Sequence, residues 1–565
     1  MQKNLSYAAG DTSVPLLEVT IGDLFDQITE KYGENDALIV VHQDLKWTYK
    51  DLKKRVDACA KALMAQGVVK GDRVGIWSQN RAEWTIVQYA TAKVGAILVN
   101  INPSYRLHEL KYALNQSGCK LLISAHEFKY SRYTEMLYEL LPELNSCQPG
   151  QLQAEEVPGL ATIISLDNSA KPGMFTWFDF MDQSMVISDT QLAARQSSLH
   201  FKDPINIQYT SGTTGFPKGA TLSHYNIVNN GYFVTESLKL NDQDRMIVPV
   251  PLYHCFGMVL GNLGAMTHGA TVIYASEGFD PLAILEIADR EKATILYGVP
   301  TMFFAELDLP EVDNFNLTSL RGGIMAGALC PPELMKKVQT VMTMTDMQIA
   351  YGMTETSPVS TQTPTHTPFD KRVSTVGQVH PHVEVKIVDP LTAETVERGE
   401  KGELCTRGYS VMLGYWNDEV KTKESIDEDG WMHSGDLATM DDEGYVNIVG
   451  RIKDMIIRGG ENIYPKEIEE FLYLHPKVSE VQVIGVPSEK FGEEVMAWIK
   501  PKNGFVITPE EIKAYCKGNI AHYKIPQFFK FTDEFPMTVT GKIRKVEMRK
   551  ISIKELGIEM EDVLG

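Results

Sequence analysis

Ten consecutive residues, Thr210 to Gly219, read TSGTTGFPKG and directly follow the strand-like run INIQY. Gly212, Gly215 and Gly219 let the backbone close around an anion, and Thr210, Ser211, Thr213 and Thr214 add hydroxyl donors. After Phe216 and Pro217, Lys218 supplies one positive charge at the end of the run. Successive N–H groups in such a turn form an anion-binding nest, and lysine meets phosphate as a compact point charge. The chemistry this spacing allows is the holding of a phosphate group; the plain alternative is a Ser/Thr/Gly-rich surface loop.

Other phosphate and nucleophile motifs are missing. No two glycines are separated by a single residue, so the dinucleotide fingerprint GxGxxG does not occur. The only Gly-Lys dipeptide, Gly541-Lys542, is followed by Ile543, so there is no Walker A loop. No GxSxG elbow, HExxH pair or SxxK set is present. These absences disfavour nicotinamide enzymes of the usual Rossmann type, P-loop ATPases, α/β-hydrolases and zinc proteases.

The elements that must position these residues alternate between two periods. Arg73–Trp77, 97–101 and 120–124 read as short apolar strands, with helical spacing over 81–94 and 107–115. Residues 145–200 break the rhythm with CQPGQLQAEEVPG and DNSAKPG and read as a surface connection. Strands near 205–209, 246–250, 270–274, 294–297 and 347–350, with helices over 281–292 and 331–341, resume it as a second doubly wound unit that begins at 205–209. Strands alternating with helices imply βαβ units and mostly parallel sheets. From about 375 to 449 short alternating strands with turns indicate a β-rich lobe. After Arg451, a helix near 466–474, strands near 478–486 and 494–499, and a helix near 509–520 form a compact α+β unit. The expected fold is therefore α/β. A large N-terminal body, 1–452, holds two doubly wound αβ subdomains and a small β-rich lobe; a small mobile α+β domain, 453–565, follows.

Composition fits several domain-sized units. The 565 residues are 43% hydrophobic and 23% charged, with 54 basic against 74 acidic side chains and a net charge of −20. Residues 454–565 hold 16 basic and 18 acidic residues, so the preceding 453, with 38 and 56, carry nearly all the acidity. That balance argues against gripping a nucleic-acid backbone but not against a local phosphate site. The seven cysteines have no CxxC spacing, which excludes a zinc framework or disulfide scaffold and fits a reducing compartment. The first residues carry no apolar or Arg-rich targeting pattern, so a cytoplasmic location is expected, with the mitochondrial matrix as the alternative. Met246 to Ser276 contains no Asp, Glu, Lys or Arg, yet Pro249, Pro251, His254, Asn262 and four interior glycines point to a buried segment or the wall of an apolar cavity rather than a membrane span.

The loop TSGTTGFPKG resembles the phosphate loop of the adenylate-forming superfamily of acyl-CoA synthetases, luciferases and peptide-synthetase adenylation domains. Further motifs occur in that superfamily's order: YGMTE at 351–355, DGWMHSGD at 429–436, GRIKDMIIRGGENIYPKEIE at 450–469 and PMTVTGKI at 536–543. The resemblance runs from about 20 to 550, and RGYSVMLGYW with EEIKAYCKGNIAHYKIP is most similar to the medium-chain acyl-CoA synthetase type. Ser434 stands where threonine is commoner and keeps the hydroxyl.

The resemblance implies a two-step reaction: a carboxylate attacks the α-phosphate of ATP, giving acyl-AMP and pyrophosphate, and the thiol of CoA then displaces AMP. It implies that Tyr351, beside Gly352, stacks on adenine and that Thr354 and Glu355 meet the α-phosphate and Mg²⁺. Asp436 would accept from the ribose hydroxyls, and Arg451 would hold ribose or phosphate. Gly327, Ala328 and Leu329 would form a backbone strip beside adenine and the acyl group. Lys542 would bridge the carboxylate and the α-phosphate. Lys453 would be the hinge about which the small domain turns, bringing Arg458, Gly459 and Gly460 to line the CoA path. PLYHCFGMVLGN with YGVPTMFF would form the acyl pocket, His254 lying beside the carboxylate and Cys255, Phe256, Gly257, Met258, Gly261 and Val299 along the chain; a core histidine is the alternative for His254. The lack of an acid in this stretch disfavours an amino-acid substrate. The expected activity is a fatty acid–CoA ligase, most simply for medium chains. Aryl-CoA ligase, an acyl-AMP ligase loading a carrier protein, and a non-catalytic nucleotide-binding scaffold remain the alternatives. Expected partners are the carboxylic acid, ATP and CoA, with no nucleic acid and no transmembrane segment; peripheral membrane contact and a monomer or homodimer stay open.

Overall fold

The computed structural model of the protein describes residues 4–210, 217–328, 330–459, 461–488, 490–538 and 543–558. Expectations placed on Ser211 to Phe216, Leu329, Gly460 and Lys542 lie outside these. The chain forms two compact units. The larger is Ala8–Val385 with Thr406–His433; the smaller comprises the described parts of 4–7, 386–405 and 434–558.

Strand and helix alternate through the larger unit, and two sheets result. In the first, of eight strands, Arg73–Trp77, Ile97–Asn100, Cys119–Ser124 and Thr162–Ser165 pair in parallel. Pro204–Thr210 lies parallel to Ile97–Asn100, and Lys218–Ser223 turns back antiparallel to it. In the second, of nine strands, Thr271–Tyr274, Arg245–Ile247, Ile295–Gly298, Gly322–Ala326 and Asp346–Gly352 form a parallel centre. The two periods in the sequence thus report the α/β class correctly.

The strands pair differently from their order along the chain. Pro204–Thr210, placed by the sequence at the start of a second αβ unit, belongs to the first sheet, while Asp36–Val40 joins the second beside Thr271–Tyr274. Periodicity identifies a strand but not its neighbour. Residues 145–200, expected as a surface connection, add the buried parallel strand Thr162–Ser165 and the helices Trp177–Asp182 and Asp189–Gln196. A four-residue buried strand between Pro- and Gly-rich flanks is too short to display alternation.

Local signals account for several element ends. Helix Ala82–Val94 stops at Gly95, which takes the left-handed conformation (φ +74°). Every residue of that helix except Glu83 is buried, so Lys93 needs charge partners, and its Nζ lies 2.6 Å from both Asp26 and Asp57. Helix His224–Ser237 begins with a capping box between Ser223 and Asn226. Its first residue, His224, accepts from the Ile21 N–H through Nδ1 at 3.1 Å, and burial pushes its pKa down to about 3.

The charge-free run divides into strand Arg245–Ile247, π-helix Phe256–Leu263, the short helix Gly264–Thr267 and strand Thr271–Tyr274. Among the described residues, no helix is long and apolar enough to cross a membrane.

Short strands at Val383–Val388, Gly402–Gly408, Met432–Met440 and Val446–Arg451 match the β-rich stretch read from the sequence. In the smaller unit, Glu461–Ile463, Ile456–Arg458, Gly492–Pro501 and Val478–Ser488 form an antiparallel sheet, with Phe528–Phe531 added in parallel. Ile468, Leu472, Val481, Val495, Ile512 and Cys516 make its core. The helix expected to reach 520 ends at Cys516, because Lys517 leaves the helical region and Gly518 turns left-handed (φ +82°).

Glu306 breaks the apolar pattern of the larger unit. It sits on helix Pro300–Leu307, is 1% exposed, and its Oε2 finds no hydrogen-bond partner among the described residues. Burial pushes its pKa well above the ordinary 4.5, so the folded chain favours the protonated acid. Stability from that proton is full below about pH 4.5 and is lost as the pH rises toward the folded value. Glu306→Met should raise the thermal midpoint at pH 7.5, by the equivalent of ~1–3 kcal/mol, with the gain shrinking toward pH 4.5. Equal midpoints for the two proteins at pH 7.5 would contradict this.

Candidate active site

In open parallel sheets, ligands bind beyond the C-terminal ends of the strands, and several of the motif residues lie there. Strand Pro204–Thr210 ends at Thr210, which pairs across the antiparallel register with Lys218. Residues 211–217 connect these two strands in the sequence. In the second sheet, Gly322–Ala326 and Asp346–Gly352 are parallel neighbours, with Ala326 opposite Ala350. Gly327 (φ +89°) and Ala328 are exposed just past the first of these ends, and half-buried Tyr351 lies at the other. A backbone strip and an aromatic ring are therefore presented side by side on one sheet edge. Gly352 allows a close approach there: a Cβ would overlap the carbonyl oxygen of Pro358.

Thr354 and Glu355 follow on the single turn Thr354–Thr356, both buried. A carboxylate out of water requires donors, and Glu355 Oε1 has two: the Tyr415 hydroxyl at 2.8 Å and the Thr210 hydroxyl at 3.2 Å. The Lys218 ammonium donates to the same Tyr415 oxygen at 2.9 Å and lies 4.2 Å from its ring centroid. Burial, followed by the Glu355 charge, pushes the Tyr415 pKa far up, so its proton stays on. Lys218 also lines a pocket of about 190 Å³ with Tyr112, Gln116, Gly219, Tyr415 and Trp416. The larger unit thus gathers Thr210, Lys218 and Glu355, drawn from two distant motifs. Glu355 offers carboxylate oxygens in a setting of hydroxyl groups, and oxygen is the ligand type that Mg²⁺ takes.

The expected acyl-pocket residues are all located. His254, half-buried, accepts from the Phe256 N–H at Nδ1 (3.2 Å), while its carbonyl accepts from the N–H groups of Gly257 and Met258. Cys255, Phe256, Met258 and Val299 are buried, and the Phe256 ring lies 5.5 Å from that of Tyr297. The two glycines serve packing. A Cβ on Gly257 would overlap the Pro251 carbonyl, and one on Gly261 would crowd the Val248 side chain. They let the π-helix sit against its own approach strand, a local irregularity that recurs at functional sites.

A buried amide row under this helix was not singled out from the sequence. Cys255 Sγ donates to Gln208 (3.1 Å), Gln208 to Asn206 (2.9 Å), and Asn206 to Asn100 (2.9 Å). Asn100 in turn donates to the Tyr253 carbonyl (3.0 Å). The signal was the polar alternation Asn206, Gln208 within INIQY. Tyr415 is likewise not among the expected site residues; its stretch, RGYSVMLGYW, carries a family resemblance but no local signal of this role.

In the smaller unit, Asp436 and Arg451 face each other across antiparallel strands, with Arg451 Nε 3.0 Å from Asp436 Oδ1. Asp436 is buried and the Arg451 side chain is 64% exposed. Lys453 is exposed on the turn Ile452–Asp454. Arg458 makes a two-point pair with buried Glu494 (2.7 and 3.0 Å) and stacks 4.3 Å from the Phe491 ring, while Gly459 takes φ +60° beside it. Its guanidinium is committed to structure in this state.

The family model for AMP-binding enzymes matches residues 25–416, and that for their C-terminal domain matches 467–542. The chain belongs to the AMP-binding enzyme family. It is 50% identical over 539 residues to the putative acyl-CoA synthetase YngI of Bacillus subtilis, covering 95% of this chain and 98% of that one. It is 46% identical over 555 residues to the mitochondrial medium-chain acyl-CoA ligase ACSF2 of Danio rerio, covering 98% and 91%. Among solved structures, ATP-bound MatB from Rhodopseudomonas palustris is similar with a TM-score of 0.81 at 28% identity, covering 95% of this chain and 100% of that one. A Mycobacterium tuberculosis fatty acyl CoA synthetase gives 0.69 at 26%, covering 95% and 99%. The α/β fold with a smaller C-terminal part is that of these adenylate-forming enzymes.

Proposed function

We propose that this AMP-binding enzyme activates a fatty acid, of medium chain length, to acyl-AMP with ATP and transfers the acyl group to CoA. The observation that carries the reading is the convergence of Thr210, Lys218 and Glu355 beside the Tyr351 and Gly327 sheet edge, in a chain related over nearly its full length to acyl-CoA synthetases. No enzyme nucleophile is needed. The protein positions two anions and stabilises charge developing at phosphorus.

In this reading Tyr351 stacks on adenine, the loop 210–219 holds the phosphates, and Glu355 with Thr354 holds Mg²⁺, which supplies neutralisation of phosphate charge. Asp436 accepts from the ribose hydroxyls, as an ionised carboxylate can, and Arg451, paired with it, holds ribose or phosphate. His254 lies beside the acid's carboxylate, and the apolar face of the π-helix follows the chain. Lys542 bridges carboxylate and α-phosphate during adenylation. The residues from 453 onward turn about Lys453 between the two steps, and Arg458, Gly459 and Gly460 then meet CoA.

A series of straight-chain acids from two to eighteen carbons, with benzoate, assayed for CoA-dependent AMP release, tests the substrate class. Activity should climb about fourfold per added CH₂, from ~0.8 kcal/mol each, and peak in mid-series. Preference for benzoate, or for a phosphopantetheinyl carrier over free CoA, would favour the aryl or carrier-loading alternatives, and no AMP release with any acid would end the reading. Lys542→Ala should lower ATP–pyrophosphate exchange by about 10²–10³-fold while thioester formation from supplied acyl-AMP stays near wild type; equal loss of both removes the assigned role. Lys453→Pro should slow thioester formation more than adenylation in single-turnover assays, and unchanged rates for both would refute the hinge.

A further inference from the structure

We propose that Tyr415 is a positioning residue of the ATP site, its hydroxyl holding Lys218 and Glu355 apart and in register so that each stays available to MgATP. The inference rests on the reading of Glu355 as the residue that holds Mg²⁺. It adds a residue outside the motifs that carry that reading.

The geometry is specific. The hydroxyl accepts from Lys218 Nζ at 2.9 Å and donates to Glu355 Oε1 at 2.8 Å, so one oxygen stands between a cation and a carboxylate. The Thr210 hydroxyl donates to the same Oε1 at 3.2 Å, so both hydroxyl donors converge on one carboxylate oxygen. The ring is itself fixed. Tyr415 is 5% exposed, lies in strand Gly414–Tyr415 opposite Ala220, and donates its N–H to Thr422 Oγ1 at 2.8 Å. Its face supports the Lys218 ammonium at 4.2 Å.

An ammonium and a carboxylate brought together in a buried site pair directly and neutralise each other. The tyrosine prevents this by bonding to both. A hydroxyl is a neutral donor and acceptor, so it satisfies each ion without cancelling its charge. Lys218 keeps its charge for phosphate and Glu355 keeps an oxygen for the cation. Phenylalanine would preserve the ring, the packing and the cation–π support, and would remove only this link.

The test is calorimetric binding of α,β-methylene-ATP to the full-length protein, in Mg²⁺ and in EDTA, with thermal midpoints recorded alongside. In Tyr415→Phe the Mg²⁺-dependent gain in affinity should shrink about tenfold, the scale of a lost hydrogen bond to a charged group, while affinity in EDTA falls by less as Lys218 turns toward Glu355 and the midpoint stays near wild type. An unchanged gain would overturn the proposal. So would an equal fall in both affinities with a lowered midpoint, which is the signature of a merely structural residue. Glu355→Gln, measured in parallel, should lose the Mg²⁺ gain. If it retains the gain, the placement of Mg²⁺ at Glu355 fails first and this inference with it. If Glu355→Gln loses the gain and Tyr415→Phe does not, only the role of Tyr415 fails.

Discussion

Glu355 is a carboxylate out of water, and much of the larger unit is arranged to meet that requirement. Its donors come from three places: the end of strand Pro204–Thr210, the strand Gly414–Tyr415, and through Tyr415 the start of strand Lys218–Ser223. All three belong to the first sheet, whereas Glu355 follows the last parallel strand of the second. One buried negative charge therefore links the edges of two sheets at the point where both present their C-terminal ends. A neutral residue at 355 would not require this convergence, and the phosphate-loop lysine would lose the hydroxyl-bridged carboxylate that defines its surroundings.

The same economy of charge holds along the segment proposed to line the acyl chain. Met246 to Ser276 has no Asp, Glu, Lys or Arg, yet it is not devoid of polar groups. Asn262 is fully buried and satisfied: it donates to Thr85 and Gln88 and accepts from the Tyr274 hydroxyl. The row Cys255, Gln208, Asn206 and Asn100 closes the other side of the π-helix with neutral hydrogen bonds. Neutral amides can be buried at modest cost when paired, whereas ions cannot. An apolar segment backed by paired amides is what this balance produces, and the overall charge of −20 has no bearing on it.

Much of the α/β architecture was legible as period. Arg73–Trp77 is a strand over the residues read from the sequence, and helices at 82–94, 107–117 and 332–341 lie within three residues of the expected ends. The reading lost detail where partners matter more than pattern. Thr162–Ser165 was hidden because four buried residues show no alternation. Pro204–Thr210 was assigned to the wrong sheet because adjacency in sequence was the only guide. In the site, the motif residues were visible as blocks, but Tyr415 and Gln208 were not, since their importance lies in what they touch.

The amino-acid sequence by itself determined the kinds of chemistry available: a Gly- and hydroxyl-rich loop ending in Lys218, an acid after a strand-end tyrosine, and a charge-free stretch beside His254. These are properties of residue type and local spacing, which periodicity and turn chemistry express within a few neighbours. The tertiary structure alone decided that Thr210, Lys218, Tyr415 and Glu355 meet, that Arg458 is occupied by Glu494, and that Gly257 and Gly261 serve backbone packing rather than open space. Those outcomes depend on strand order and on matching each buried charge and carbonyl to a partner far away in the chain, and no local pattern carries that information.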